Sequence, residues 1–278
     1  MKKPIEVTHI SSKEERDPLL EYNTINVQEL IKIPLCGVGF DDVTLDEAVA
    51  KIKFLIDSKK KSSHVMLLDP VKLMYFRENG KLHHITENAD MILAEGCGIK
   101  WASDFVGKPI KGRIPTIGLM MDLIRLAEIK NYTIFLYGGK ENIVESIYHN
   151  LSRHFPKIRI VGRHAGFLNA NRELMVKESM RKTSPDIIFI AKDFLDQEKW
   201  IDENRDYFGK SVIIGVNGSF DILSGKVKKA PDFFKTRGLT WFWRMLTHPW
   251  KINRYFRLIQ FFVLALLNKI KNKKQSRK

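Results

Sequence analysis

Cysteine occurs only twice in the 278 residues, at Cys36 and Cys97, which excludes a disulfide framework as the source of stability. The N-terminal stretch lacks the basic, apolar, small-residue order of a secretory signal, so a cytoplasmic, reducing setting is expected. Long hydrophobic runs are missing too: the one from Phe261 to Leu267 stops far short of the roughly 18 to 20 residues that span a bilayer. There is no internal repeat, no G-x-G-x-x-G, no Walker lysine loop and no nucleophile elbow. The eight histidines and two cysteines form no zinc-ligand spacing, so neither a metal nor another cofactor is expected.

Acidic residues are absent from one region above all. From Lys226 to Lys278 there are fifteen basic residues and a single acid, Asp232, so this segment carries +14 of the net +15 and the remainder is nearly neutral. Charge segregated in this way marks an appendage that meets an anionic surface rather than a domain coated in positive potential. Nucleic-acid binding would call for basic residues spread over a folded surface or a reading motif, and neither is present. Tryptophan, phenylalanine and arginine alternate before the apolar run, and lysines follow it. That order suits a helix lying in the headgroup region of an anionic membrane; the alternative is a C-terminal helix packed on the domain.

What the chain does have is apolar residues, 44% of the total, enough for one large core with or without an appendage. Short β-branched runs recur at HVMLLD (64–69), DMILA (90–94), YTIFLYG (132–138), IRIVG (158–162), DIIFIA (186–191) and SVIIGV (211–216), with helically spaced segments between them. This alternation predicts an α/β fold, a Rossmann-like and mostly parallel sheet flanked by helices. A capping box, Thr44 with Glu47, opens an early helix. The predicted organisation is a polar N-terminal tail over residues 1–30, an α/β core over 31–234 and a basic helical appendage over 235–278.

Polar and glycine residues follow each strand: Asp69, Glu95 with Gly96, Gly138 with Gly139, Lys192 with Asp193, and Asn217 with Gly218. Ligands of open α/β sheets bind beyond the carboxyl ends of the strands, so one pocket gathering these loops is the expectation. The glycine pair of YGGKENIVES lets backbone amides approach a phosphate or ribose, although many such turns use glycine for steric reasons alone. Arg113, in GKPIKGRIP, offers a diphosphate a planar fork, or is a plain surface arginine. Gln197, in LDQEKWIDENRDYF, offers an amide to a sugar or uracil, or is a polar residue in a first helical turn. Asp221, in NGSFDILSGKVKKAPDF, reads most simply as satisfying turn amides.

Taken together, NADMILAEGCGIKWAS, GKPIKGR, TIFLYGG, HAGF, QEKWI, GVNGSFDILSGKVKKAP and GLTWFWRMLTHP resemble the WecG/TagA/CpsF family, glycosyltransferase family 26, over about residues 33–256. The resemblance implies transfer of a hexosamine or related sugar from a UDP donor to a polyprenyl-diphosphate-linked acceptor, without a metal. The products belong to cell-surface polysaccharide or teichoic acid biosynthesis. It also implies a basic C-terminal appendage that docks at the inner face of the bacterial membrane and supplies arginines to the active site.

Carried over residue by residue, the family's catalytic aspartate in Asp-Gly becomes Glu95 before Gly96, and Arg113 is retained. The family's Thr-x-Asn falls on Leu67 and Asp69, its Gly-x-Asp on Thr116 and Gly118, and its Pro-x-Gln-Glu on Leu195, Asp196, Gln197 and Glu198. Arg244 and Arg254 are kept in the appendage, where Lys251 replaces a usual basic residue and His248 a usual glutamate. The roles expected are Glu95 as base, Asp69 as the acid that tunes it, and Arg113, Arg244 and Arg254 as cations facing the departing UDP. Gly96, Gly138, Gly139, Gln197, Asn217 and Gly218 would hold nucleotide and sugar. Because the departures cluster at the pocket, a second reading is a member without catalysis that serves as a regulator or partner in polysaccharide assembly. The sequence leaves a homo-oligomer open.

Overall fold

All six apolar runs form strands. In the computed structural model, which describes residues 22, 25–27, 31–58, 61–166, 168–225, 233 and 252–275, they are β3 (Ser63–Leu68), β4 (Met91–Ala94), β5 (Thr133–Gly138), β6 (Arg159–His164), β7 (Ile187–Ala191) and β8 (Val212–Gly215). They form one six-stranded parallel sheet in the order β4-β3-β8-β7-β5-β6. Every residue of β3, β4, β7 and β8 is buried. Strands covered on both faces read as continuous apolar runs rather than as alternating ones, which is why the sequence announces them.

The connecting helices are α1 (Leu45–Ser58), which starts right after Thr44, α2 (Pro70–Glu78), α3 (Gly80–Asn88), α4 (Cys97–Val106), α5 (Thr116–Lys130), α6 (Glu141–His154), α7 (Ala170–Thr183), α8 (Phe194–Asn204) and the short α9 (Ser219–Leu223). The C-terminal helix, α10, runs from Ile252 to Gln275. A hairpin that no sequence pattern signals, β1 (Lys32–Leu35) with β2 (Val38–Asp41), precedes them. Its turn residues Cys36 and Gly37 both have positive φ, 53° and 90°, the geometry of a primed hairpin turn that usually recruits Asn-Gly. Cysteine in that place hides the signal. Buried Asp41 accepts a hydrogen bond from the Ile92 amide at 2.8 Å, which ties the hairpin to β4.

The chain divides into two compact units whose boundary falls inside β3. The first holds Leu45–Val65 and residues 116–225; the second holds residues 31–44, Met66–Pro115 and α10. The tail expected over residues 1–30 lies, apart from 22 and 25–27, outside the described residues, and so does the boundary expected near 234.

Within the second unit α10 packs against α2 and α4. Phe261 and Ala265 are fully buried, Phe262 meets Trp101 edge-on at 4.9 Å, and Lys269 lies 3.8 Å from the centre of the Phe105 ring. On the other side Phe256, Ile259, Val263, Leu266 and Ile270 are exposed, a stripe at helical spacing. Among the described residues no helix is long and apolar enough to cross a membrane.

Candidate functional site

The second unit gathers four charged side chains at the ends of β3 and β4. Asp69 follows β3 and caps α2: its Oδ1 accepts from the amides of Val71 and Lys72, both at 2.8 Å, with Pro70 in the first turn where an amide hydrogen would go unused. Its Oδ2 receives Arg254 Nη2 of α10 at 2.9 Å. Lys72, three residues past the cap, is turned inward and buried. Its Nζ donates to the Leu67 carbonyl and to Glu95 Oε2, each at 2.8 Å.

Glu95 follows β4, and its amide donates to Leu68 O at 2.8 Å, which fixes the two strand ends side by side. Gly96 then takes φ +80°, a conformation that L side chains avoid, and α4 begins without a side-chain cap. The start of α4 lies against α2, because a Cβ on Gly98 would come within 2.5 Å of Pro70 Cγ. Arg113 is exposed. The next residue, Ile114, donates its amide to Ala94 O at 2.8 Å, so Arg113 and Glu95 flank one backbone hydrogen bond.

The cluster is charged and open in part. The Lys72 side chain is 6% exposed and Glu95 27%, Asp69 16% and Arg254 44%. Asp69, expected to act on Glu95 as a second acid, instead caps a helix and pairs with Arg254. Directly on Glu95 sits the ammonium of Lys72, so a cation faces the expected base.

The first unit holds the remaining residues. Gly138, at φ +127°, could carry no side chain, since a Cβ would lie 2.1 Å from Ala191 O. Gly139 donates its amide to Ala191 O at 2.8 Å and accepts from the Gly166 amide at 2.9 Å. Its N–H is therefore spent on extending the sheet, against the expectation that this amide approaches a phosphate or ribose. Gln197, expected to offer its amide to a sugar, is fully buried: Oε1 accepts the Asn217 amide at 2.9 Å and Nε2 donates to Glu198 Oε1 at 2.7 Å.

Glu198 Oε2 in turn lies 2.8 Å from His64 Nε2. The chain His64–Glu198–Gln197 ends at the Asn217 turn, which has φ +46° and is followed by exposed Gly218. Neither polar atom of the Asn217 side chain has a hydrogen-bond partner among the described residues, and both are closed off from solvent. Lys192 Nζ lies 5.0 Å from the ring centres of both Tyr137 and Trp200 and 3.5 Å from Glu173. Burial first, and Glu173 second, push the Tyr137 phenol well above its usual range.

Arg244, His248 and Lys251 lie outside the described residues. Neither Lys72 nor His64 is singled out by any motif. The available signal is local: each is a lone basic residue inside an otherwise apolar stretch, PVKLMYF and HVMLL, and such a residue is buried only with a partner.

The arrangement in the second unit, a partly exposed carboxylate beside cations and an uncapped helix start, suits a proton acceptor next to an anionic leaving group. Comparison with known proteins identifies relatives of the chain. The chain is 29% identical, over 84% of its own length and 90% of the relative's, to the N-acetylglucosaminyldiphosphoundecaprenol N-acetyl-beta-D-mannosaminyltransferase of Bacillus spizizenii. To the enzyme of that name from Bacillus subtilis it is 33% identical over 68% of its length and 73% of the relative's. To that from Staphylococcus aureus it is 29% identical over 84% and 92%. The Glycosyl transferase WecG/TagA/CpsF family model matches residues 33–275, a span that takes in both units and α10, and the chain accordingly belongs to that family of glycosyltransferases.

Proposed function

We propose that the chain transfers an N-acetylhexosamine or related hexose from a UDP donor to a polyprenyl-diphosphate-linked acceptor at the inner face of the cell membrane, in cell-surface polysaccharide or teichoic acid biosynthesis. The observation that carries the reading is Glu95: a carboxylate at the end of a parallel strand, partly exposed, with Arg113 across one backbone hydrogen bond and the Arg254–Asp69 pair on the neighbouring strand end. The relatives' names supply the acceptor class.

In the proposed reaction the acceptor hydroxyl oxygen attacks the anomeric carbon while the bond from that carbon to the UDP oxygen breaks. UDP departs with the electron pair, and the hydroxyl proton goes to Glu95. One displacement, without a metal, inverts the anomeric centre. Arg113 and Arg254 offset the charge growing on UDP, the kind of preorganised stabilisation that often outweighs acid or base help. The exposed apolar stripe of α10, on a helix rich in lysine and arginine, would bring this chemistry to an anionic leaflet where the lipid acceptor resides.

The test is turnover of the purified chain on a panel of UDP-sugars with a short-chain polyprenyl-diphosphate acceptor. Wild type should turn over at least one donor, and Glu95→Gln should lower kcat by about 10²- to 10⁴-fold, the usual worth of a general base. Equal turnover by both removes Glu95 from the chemistry. The second reading, a member that binds donor but assists an assembly complex without catalysis, draws on the Lys72 ammonium that occupies Glu95 Oε2; UDP-sugar binding with no turnover on the whole panel would select it.

A further inference from the structure

Lys72 places a buried cation in direct contact with the proposed base. Its side chain is 6% exposed, and burying an ammonium is costly unless it is bonded on several sides. Two of its partners are known: the Leu67 carbonyl on β3 and Glu95 Oε2 just past β4, each at 2.8 Å. The backbone that carries it is fixed independently, since the Lys72 amide is one of the two that Asp69 caps. Nζ is thus held from its own helix and from the neighbouring strand, at a point where it can hold something else.

That something is the longer acid. A glutamate has one more rotatable bond than an aspartate, and its carboxylate sweeps a wider volume. Gly96 behind it takes φ +80°, and apart from its chain neighbours nothing lies within 4 Å of where a Cβ would stand. A base displaced by about 1 Å can cost about 100-fold in rate. We infer that Lys72 is a positioning residue for Glu95: its ammonium fixes one carboxylate oxygen, so that glutamate does work that the resemblance assigns to an aspartate. Lys72 touches neither donor nor acceptor in this scheme and acts only through Glu95. The inference rests on the proposed role of Glu95.

The experiment is a double-mutant cycle on the full-length chain with the donor and acceptor that wild type turns over. Lys72→Met should lower kcat by about 100-fold with KM for the donor within about twofold of wild type, because orientation is lost and binding is not. In a Glu95→Gln background the same substitution should change kcat by less than about threefold, as expected for two groups acting as one unit. A melting curve accompanies each variant; if Lys72→Met does not fold, Lys72→Gln, which keeps a donor for the Leu67 carbonyl, is judged by the same criteria. Undiminished kcat in the Lys72 variant, or an equal loss in both backgrounds, overturns the inference while leaving the Glu95 assignment standing. Undiminished kcat in Glu95→Gln, or no wild-type turnover on any donor, removes the base reading and this inference together.

Discussion

The two units handle buried polar groups in opposite ways. In the first, His64, Glu198 and Gln197 are all fully buried and bond to one another in a line that ends on the Asn217 backbone. In the second, Asp69, Lys72, Glu95 and Arg254 form two ion pairs in which three of the four side chains keep more than a tenth of their surface exposed. A sealed network contributes rigidity and is costly to interrupt, because its buried members have no water to turn to when a partner is lost. The more open pair of the cluster, Asp69 with Arg254, has charge to offer a ligand and little stability to lose. On the proposed reading of Glu95, stability rests with one unit and chemistry with the other, and each half of that division can be broken separately.

The largest effect belongs to the sealed line. Glu198→Ala strips a partner from His64 and from the Gln197 amide at once, and leaving a buried polar group unsatisfied typically costs about 1–3 kcal/mol for each group. The midpoint of urea unfolding should fall accordingly. Chain that remains folded should keep a turnover per active molecule close to wild type. Should Glu198→Ala abolish turnover while leaving the midpoint in place, the division between the units is wrong.

What was legible from sequence follows the same division. The six strands could be read because burial on both faces writes them as unbroken apolar runs; the β1–β2 hairpin could not, because its turn uses Cys36 where an asparagine would have signalled it. At the site, Glu95, Arg113 and Asp69 stood out as polar residues directly after strands or in a turn-rich segment. Their partners did not: the Lys72–Glu95 contact joins residues 23 apart and the Arg254–Asp69 contact residues 185 apart, separations that no local pattern encodes. Gln197 was legible as a motif residue, but the direction of its amide depends on Gly215. A Cβ there would come within 2.1 Å of Gln197 Nε2, so the glycine is what admits the inward rotamer.

An intermediate effect tests the second unit's outer face. Ile259 and Leu266 are exposed, on one face of α10 by their spacing of two turns. If that stripe enters a membrane, changing both to serine should weaken sedimentation with anionic vesicles by about 30-fold, roughly 2 kcal/mol for two apolar side chains partly withdrawn from water. The melting temperature should stay near that of wild type. Unchanged vesicle binding would remove α10 from the proposed docking face without touching the Glu95 chemistry.

The smallest effect separates the two jobs of Asp69. Oδ1 caps α2 through the Val71 and Lys72 amides, and Oδ2 meets Arg254. With Asp69→Asn the side-chain carbonyl still accepts both amide bonds, since asparagine caps about as well as aspartate, and the ion pair with a 44% exposed arginine is worth little after screening. Asp69→Asn is therefore expected to shift stability by less than about 0.5 kcal/mol, whereas Asp69→Ala should cost about 1 kcal/mol through the lost cap; thermal melts of the two variants measure the gap. The proposed role of Arg254 makes a different demand. If the guanidinium is to meet the departing diphosphate, the Asp69 carboxylate competes with the substrate for it, and neutralising that carboxylate should leave UDP bound at least as tightly as in wild type. Weaker UDP binding by Asp69→Asn, at unchanged melting temperature, would mean that Asp69 holds Arg254 in place for the ligand, and the open cluster would then share the interlocked character of the sealed one.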